Sequence, residues 1–385
     1  MIRSCLITAL MLVGVSMLAQ VASEEEVIMR ALQNHPSILM ANTEVQKSRS
    51  LERTSFNPEQ PRFEIETPSD FGIGFEAEQE FSFPTVYMRR ADLFKSQTRL
   101  AEEALSISRI ELAKNVRLAY LEAQVAQESF RYANSVDSLW RDIAGQSQRL
   151  YDAGEINLGD VVFAQNRAGL VRVTLMENSA LLANKLFVLE NYTGAPVDSV
   201  EPLYALPYTP AEGTNYFFEN YMAQQNVVTQ NEIDVYKSHR LPGLMIGYLR
   251  SDEIDTEHRF RYKAGITVPI WQGQYTGQIK ASRLETERAA AELTLRRQEA
   301  EIARHEWENL LEQTQQNLAW FENTAIPQMN QLVDIYTRLY NAGEINYTQM
   351  LRNIADAFVI RDEYLNLIQR HNQAIIQLDY LNGKQ

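Results

Sequence analysis

The chain has 385 residues, a formal net charge of −14 at pH 7 and a single cysteine, Cys5. This acidic balance disfavours nucleic acid as a partner, because the chain has no basic excess that would neutralise phosphates. One cysteine leaves no intrachain disulfide bond and no thiolate metal site, so the stability of the fold must come from packing.

The first 23 residues have the pattern of a secretory signal peptide. One cation, Arg3, precedes an apolar run at 5–18, and small residues follow that run. We expect cleavage after Ser23, which removes Cys5 from the mature chain. No later apolar run approaches the roughly 18 residues of a transmembrane helix, so any contact with a membrane must be made by strands.

An internal repeat organises the rest of the chain. Residues 149–157 recur at 338–346, an offset of 189, with eight of nine residues identical. Self-similarity at about half the chain length predicts two copies of one structural unit, each with the same sharp turn. We therefore expect a first structural repeat at 24–200 and a second at 201–385.

The first repeat begins with a helix at about 24–54 and continues with a hairpin at 62–83. In the second strand of this hairpin the odd positions are mostly apolar and the even positions are mostly glycine or glutamate, which predicts one apolar and one charged face. Helix-forming residues without proline fill 87–151 and predict a helix about 100 Å long. A tip turn at 151–157 then leads to a helix at about 158–192.

The second repeat has the same order of elements. Its opening helix is expected at about 211–239 and its hairpin at 243–270, where the same alternation of apolar and charged positions occurs. A long helix at about 274–341, a tip turn at 340–346 and a last helix at about 347–381 complete the copy.

The two hairpins admit two interpretations, a soluble sheet on a core or part of a membrane barrel. A lone hairpin is marginally stable in water, and the sequence offers no other sheet on which either hairpin could pack. Aromatic-rich faces opposite charged faces are typical of membrane barrels, so we favour the barrel. Four strands are too few to close one, so several chains must contribute. The residues expected to face the lumen are Glu76, Glu78, Glu80, Arg259, Arg261 and Lys263.

In this order, the elements resemble the TolC family of outer-membrane channel proteins, and in particular its shorter branch, which serves metal and drug efflux. The residues that carry the resemblance are the helix break at Asn34, His35 and Pro36, the strand exits at Phe83-Pro84 and Val268-Pro269, and the paired Tyr-x-Ala-Gly turns. The resemblance covers essentially the whole mature chain. It implies a mainly α fold with a membrane β-barrel: a homotrimer with a 12-stranded barrel, four strands per chain, continued by a 12-helix periplasmic α-barrel.

The resemblance also implies a function. A protein of this family is the outer-membrane exit duct of a tripartite efflux or type I secretion system, and it passively conducts substrates received from an inner-membrane pump. The implied partners are a periplasmic adaptor, or membrane fusion protein, the pump itself and outer-membrane lipid. No cofactor is implied.

Roles for residues near the two turns follow from the resemblance as well. The adaptor-docking tips would comprise Leu150, Gly154, Glu155, Ile156, Leu339, Gly343, Glu344 and Ile345. A latch that holds the tip closed would join Tyr340 to Asp160. The arginine that usually supports this latch is replaced by Ile345, and the acidic ring of the tip lumen is replaced by Gln349 and Arg352.

No set of residues predicts catalysis or a metal site. The pair His305-Glu306 lacks the second histidine of a zinc protease, and Gly72-x-Gly74 lies in a strand instead of a phosphate-binding loop. The alternative function is a periplasmic coiled-coil adaptor or tether without a pore. It accounts for the long helices but not for two aromatic-faced hairpins at equivalent positions in the repeats.

Overall fold

The structure is a computed structural model that describes residues 21–66, 74–210, 216–250, 260–357 and 359–384. The chain is mainly helical, with two short strands and one four-stranded sheet among the described residues. The expected signal peptide up to residue 20 and the hairpin residues 67–73 and 251–259, which include Arg259, lie outside the described residues.

The chain divides into two compact units, each assembled from three segments. The first unit comprises Met1–Ala31, Val116–Ala205 and Gln316–Asn372. The second comprises Leu32–Asn115, Leu206–Gln315 and Gln373–Gln385. Each unit therefore draws on both sequence repeats.

The first unit is built from helices and one short strand pair. Its elements are β1 (Val21–Ala22), most of α1 (Glu24–Asn34), the C-terminal part of α3 (Pro84–Asp152), α4 (Leu158–Thr193), β4 (Ser199–Val200), a π-helical segment (Phe321–Ala325), α7 (Ile326–Asn341), α8 (Tyr347–Ala357) and most of α9 (Val359–Leu381). A glycine with φ of 69°, Gly194, ends α4 in the left-handed conformation that favours this residue. One apolar cluster around Trp140 and Leu351 and a second around Leu318 and Ile368 form the core of the unit.

The short strand β1 bears on the expected cleavage position. It pairs in parallel with β4, and Ala22 is only 5% exposed, with its carbonyl accepting a hydrogen bond of 2.8 Å from the Tyr120 hydroxyl. Ser23 caps α1, because its hydroxyl accepts a hydrogen bond of 3.3 Å from the backbone N–H of Glu26. Cleavage after Ser23 would remove the strand and the cap together, whereas cleavage before Val21 would keep both.

The second unit contains the sheet and the helices that adjoin it in sequence. Its helices are α2 (Pro36–Glu52), the N-terminal part of α3, α5 (Glu219–Ser238) and most of α6 (Gly273–Trp320). Its strands are β2 (Arg62–Glu66), β3 (Gly74–Phe81), β5 (Gly243–Arg250) and β6 (Phe260–Thr267). These strands form one antiparallel sheet in the order β2-β3-β5-β6, so β2 and β6 are its two edges.

The long helix expected at 274–341 is interrupted in the structure. A proline lacks the N–H of a helical residue and its ring clashes with the carbonyl one turn earlier. Just before Pro327 the backbone widens into the π-helical segment Phe321–Ala325, which separates α6 from α7. The long helix of the first repeat, α3, has no internal proline and runs unbroken.

No helix within the described residues is both long enough and apolar enough to cross a membrane.

Candidate functional site

The four-stranded sheet has two chemically different faces. Residues paired across antiparallel strands lie on the same face, so the register assigns each side chain to one of them. One face carries the charged residues Arg62, Glu64, Glu76, Glu78, Glu80, Arg261 and Lys263. The other face carries Phe63, Ile65, Phe75, Ala77, Phe81, Leu244, Ile246, Tyr248, Tyr262, Ala264 and Ile266, together with Gln79 and, at the last residue of β5, Arg250. Five of the six residues predicted to face a lumen thus share one face, and the sixth, Arg259, lies outside the described residues.

The apolar face is uncovered in the single chain. Tyr262 is 86% exposed, Ile266 68% and Ile246 55%. The one polar side chain on the part of this face within β3 is Gln79, whose amide donates hydrogen bonds to the carbonyls of Glu59 and Glu80 at 2.6 and 2.8 Å. A contiguous apolar surface of this kind marks contact with lipid or with another protein.

The charged face holds an ion cluster that spans three strands. The ammonium of Lys263 on β6 binds the carboxylate of Glu76 on β3, and its distance to a carboxylate oxygen of Glu78 is 3.3 Å. On the edge strand β2, Arg62 forms an ion pair with Glu64. Five of the seven charged side chains named on this face therefore lie in contacts between opposite charges.

The two tip turns have the same backbone geometry. Gly154 has φ of 79° and Gly343 has φ of 75°, a region that side chains resist. In each turn the glycine N–H donates to the carbonyl three residues earlier, and the next N–H donates to the carbonyl five residues earlier. These two bonds form the glycine-terminated cap known as the Schellman motif. Two copies of the same nine-residue segment therefore give two copies of the same turn.

An asparagine begins the helix that follows each turn. Asn157 accepts a hydrogen bond of 3.1 Å from the N–H of Asp160, and Asn346 accepts one of 2.8 Å from the N–H of Gln349. Asp160 completes a capping box at the start of α4, because its carboxylate accepts from the N–H of Asn157. The caps explain why both helices start at fixed distances from the turn glycines.

The residues expected at the tips differ in exposure. Glu155 and Glu344 are exposed, and so are the two turn glycines. Leu150 and Leu339 are half-buried. Ile156 and Ile345 are also half-buried and pack against the apolar cluster around Trp140 and Leu351.

The expected latch residues are close to each other but are not hydrogen-bonded within the described part of the chain. The carboxylate of Asp160 instead accepts a hydrogen bond from the hydroxyl of Thr348, which joins the first turn of α4 to the first turn of α8. Burial raises the pKa of the Tyr340 hydroxyl, and the nearby charges of Glu155 and Asp160 raise it further. Thr348, which binds Asp160, follows Tyr347, whose ring contacts that of Tyr340, so the two latch residues lie in the same neighbourhood.

Two residues at the start of α8, directly after the second turn, were missed by sequence reasoning. Tyr347 is only 4% exposed, and its ring lies 5.2 Å from that of Tyr340. The hydroxyl of Ser147, on α3, donates a hydrogen bond of 3.1 Å to the Tyr347 hydroxyl. Thr348 holds Asp160, as described above. Both partners lie about 190 to 200 positions away in the sequence, so no local pattern could have identified them.

The residues expected to line the tip lumen are both exposed. The backbone N–H of Gln349 donates a hydrogen bond to the side chain of Asn346, and the side chain of Gln349 is exposed to solvent. The guanidinium of Arg352 lies 5.6 Å from the ring centre of Phe163. No group of histidine, cysteine and carboxylate side chains in the described residues could hold a metal ion.

Comparisons with known proteins identify the fold. No protein-family model matches the sequence, and no curated protein aligns with it at a significant level. Three similar solved structures are the transmembrane channel CusC, the CmeC outer-membrane channel of Campylobacter jejuni and the outer-membrane protein VceC of Vibrio cholerae. The TM-scores are 0.78, 0.76 and 0.76 at 14%, 14% and 15% identity. The alignments cover 96%, 94% and 94% of this chain and 96%, 85% and 96% of those chains.

At this level of identity the likeness concerns the fold alone. It extends over nearly the whole chain and over most of each compared chain, so it includes the helices and the sheet together. The chain fold that the family resemblance implies, mainly helical with a four-stranded sheet, is therefore confirmed.

Proposed function

We propose that the chain is one protomer of an outer-membrane exit duct that passively conducts substrates out of the cell. The observation that carries this proposal is the sheet, which has an exposed apolar face on one side and paired charges on the other. Lipid outside and water inside would satisfy both faces at once. The same fold occurs in CmeC, which is described as an outer-membrane channel, and in VceC, which is described as an outer-membrane protein.

A trimer would close the barrel. The edge strands β2 and β6 have free backbone hydrogen-bonding groups on their outer sides, and such edges are not tolerated in lipid. Three chains with four strands each would form a closed 12-stranded barrel.

The helix α4 supports the trimer independently. Large apolar side chains on it are exposed in the single chain, among them Val162, Leu170, Val173, Met176 and Phe187. A helix that is apolar on several sides is stable in water only when neighbours cover those sides. We infer that other protomers cover α4 in a 12-helix tube in the periplasm.

We further infer that the two tip turns dock a periplasmic adaptor, which connects the duct to an inner-membrane pump. The repeated turns present the same exposed glutamate and the same half-buried isoleucine twice per chain. In a trimer this gives six similar, though not identical, sites around one opening. Six similar sites suit an adaptor that binds in several copies. The nature of the cargo would then be decided by the pump.

An adaptor or tether without a pore is the alternative, and one experiment separates the two. The full-length protein would be produced in a Gram-negative host, extracted from the outer-membrane fraction and added to planar lipid bilayers. We expect heat-modifiable trimers and discrete ion conductance. A protein that is recovered from the soluble periplasm, or that is trimeric but never conducts, would exclude the duct and favour the tether.

A further inference from the structure

The ion cluster on the charged face depends on a gap in the middle strand. The register aligns Glu78 on β3, Gly247 on β5 and Lys263 on β6 in one row across the sheet. Lys263 and Glu78 are thus two strands apart, yet the lysine ammonium comes within 3.3 Å of the Glu78 carboxylate and also binds Glu76. The lysine side chain therefore crosses over β5.

Gly247 makes this crossing possible. A Cβ atom at this position would lie 3.3 Å from Cγ of Glu78 and 3.4 Å from Cβ of Lys263, so a larger side chain would fill the space that the lysine occupies. The neighbouring residues of β5 on the same face, Met245 and Leu249, both carry long side chains. Among the residues of β5 on this face, Gly247 and Gly243 lack a side chain, and Gly247 lies in the row of Lys263.

Lys263 is one of the cations that lie among the carboxylates of the charged face. Among the side chains that the structure describes there, the carboxylates are Glu64, Glu76, Glu78 and Glu80, and the cations are Arg62, Arg261 and Lys263. Lys263 is therefore one of three described cations among four described carboxylates. Without Lys263, the Glu76 and Glu78 carboxylates would both lose the ammonium that they share.

The geometry points to Lys263 as the residue that limits the cation preference of the barrel lumen. This inference rests on the proposed function, because it requires the charged face to line a pore. In a narrow passage with low-dielectric walls, fixed charges control which mobile ions are concentrated inside. Screening acts over about 8 Å at physiological ionic strength. The three Glu76–Glu78 clusters of a trimer would therefore influence ions within about 8 Å of the inner surface of the barrel.

The test is the ratio of potassium to chloride permeability of the full-length trimer in planar bilayers with unequal KCl on the two sides. Lys263→Met keeps the length of the side chain and removes its charge. Because each chain loses one positive charge beside two carboxylates, we expect the ratio of potassium to chloride permeability to rise by about twofold or more. Lys263→Arg keeps the charge and should leave the ratio unchanged. Lys280→Met removes an exposed lysine of α6, outside the sheet, and is the matched control.

The outcomes distinguish this inference from the function on which it rests. If the parent protein forms no channels, the proposed duct is wrong. If it forms channels whose permeability ratio is the same for Lys263→Met, Lys263→Gln and the parent, the duct stands and the role of Lys263 is refuted. The glutamine variant provides a second neutral side chain in case the methionine variant does not assemble. A loss of trimers in both neutral variants, with normal trimers for Lys263→Arg, would also refute the inference, because the lysine charge would then serve assembly instead of ion selection.

Discussion

The assignment of the two faces of the sheet can be tested on three successive residues of one strand. In β5, Leu244 and Ile246 belong to the apolar face, whereas Met245 between them belongs to the charged face, opposite Glu80. Arginine at Met245 and at Ile246 introduces the same side chain at positions only one residue apart along the strand. Only the direction in which it points changes.

The expected cost can be derived from the position along the strand. β5 has eight residues, so Ile246 lies half a residue from its midpoint and Leu244 two and a half residues from it. With a rise of about 3.4 Å per residue and a tilt of about 40°, these offsets correspond to about 1 Å and about 6–7 Å along the membrane normal. Ile246→Arg should therefore cost about 2–4 kcal/mol of unfolding free energy, as at the bilayer midplane, and Leu244→Arg less.

The assay is denaturant unfolding of the protein refolded into lipid vesicles, with the unfolding free energy of each variant compared with that of the parent. Met245→Arg should cost much less than Ile246→Arg, because its guanidinium reaches water and Glu80. Equal destabilisation by Met245→Arg and Ile246→Arg would show that the faces are assigned wrongly. If neither variant is destabilised, the sheet does not lie in lipid at all.

Two further predictions concern the turns and the N-terminus. Gly154→Val and Gly343→Val, at residues with positive φ, should each abolish efflux in a pump-dependent resistance assay while leaving trimers in the outer membrane, and survival of transport in both variants would exclude the turns as docking sites. N-terminal sequencing of the purified protein should find a mature chain that retains Val21 and Ala22, because β1 pairs with β4 and Tyr120 binds the Ala22 carbonyl; a mature chain beginning at Glu24 would show that these contacts are dispensable.

The elements of the fold were accessible from sequence because their causes are local. Alternation with a period of two determines the strand faces, and the glycine and asparagine of the repeated nonapeptide determine the turns. The order β2-β3-β5-β6 was not accessible, since the pairing of β3 with β5 joins residues about 170 positions apart. The faces of β5 were also ambiguous, because Leu244, Met245, Ile246 and Leu249 are all apolar and only the pairing partners separate them.

The site residues show the same limit. The positions of Tyr340 and Asp160 were inferred from their distance to the turn glycines, whereas the partner that Asp160 binds in the structure, Thr348, lies in the other repeat. A threonine near the start of a helix is common and has no specific functional meaning. Nothing in the neighbouring sequence indicates that its hydroxyl binds a carboxylate 188 positions away. Partner choice across the repeats is a property of tertiary packing.

This partner modifies the prediction for the latch. In the structure the buried carboxylate of Asp160 accepts hydrogen bonds from the Thr348 hydroxyl and the Asn157 N–H. A hydrogen bond to a charged group contributes about 1.5–3 kcal/mol, so the bond to Thr348 would hold α4 against α8 even where Tyr340 makes no contact with Asp160. We therefore expect the resting tip to be held by Asp160 through two donors, Tyr340 and Thr348, in place of the arginine that Ile345 replaces.

A mutant cycle measured by single-channel conductance separates the two donors. Tyr340→Phe and Thr348→Val each remove one hydroxyl with little change in shape, and each should raise the conductance of the closed trimer. Asp160→Ala removes the acceptor of both, so it should raise the conductance further, and adding Thr348→Val to it should then change nothing. If Thr348→Val still acts in the Asp160→Ala background, the threonine holds the tip through some other contact. If Asp160→Ala conducts like the parent, the carboxylate does not hold the tip closed, and the apolar packing of Ile156 and Ile345 against the Trp140 cluster becomes the cause to test.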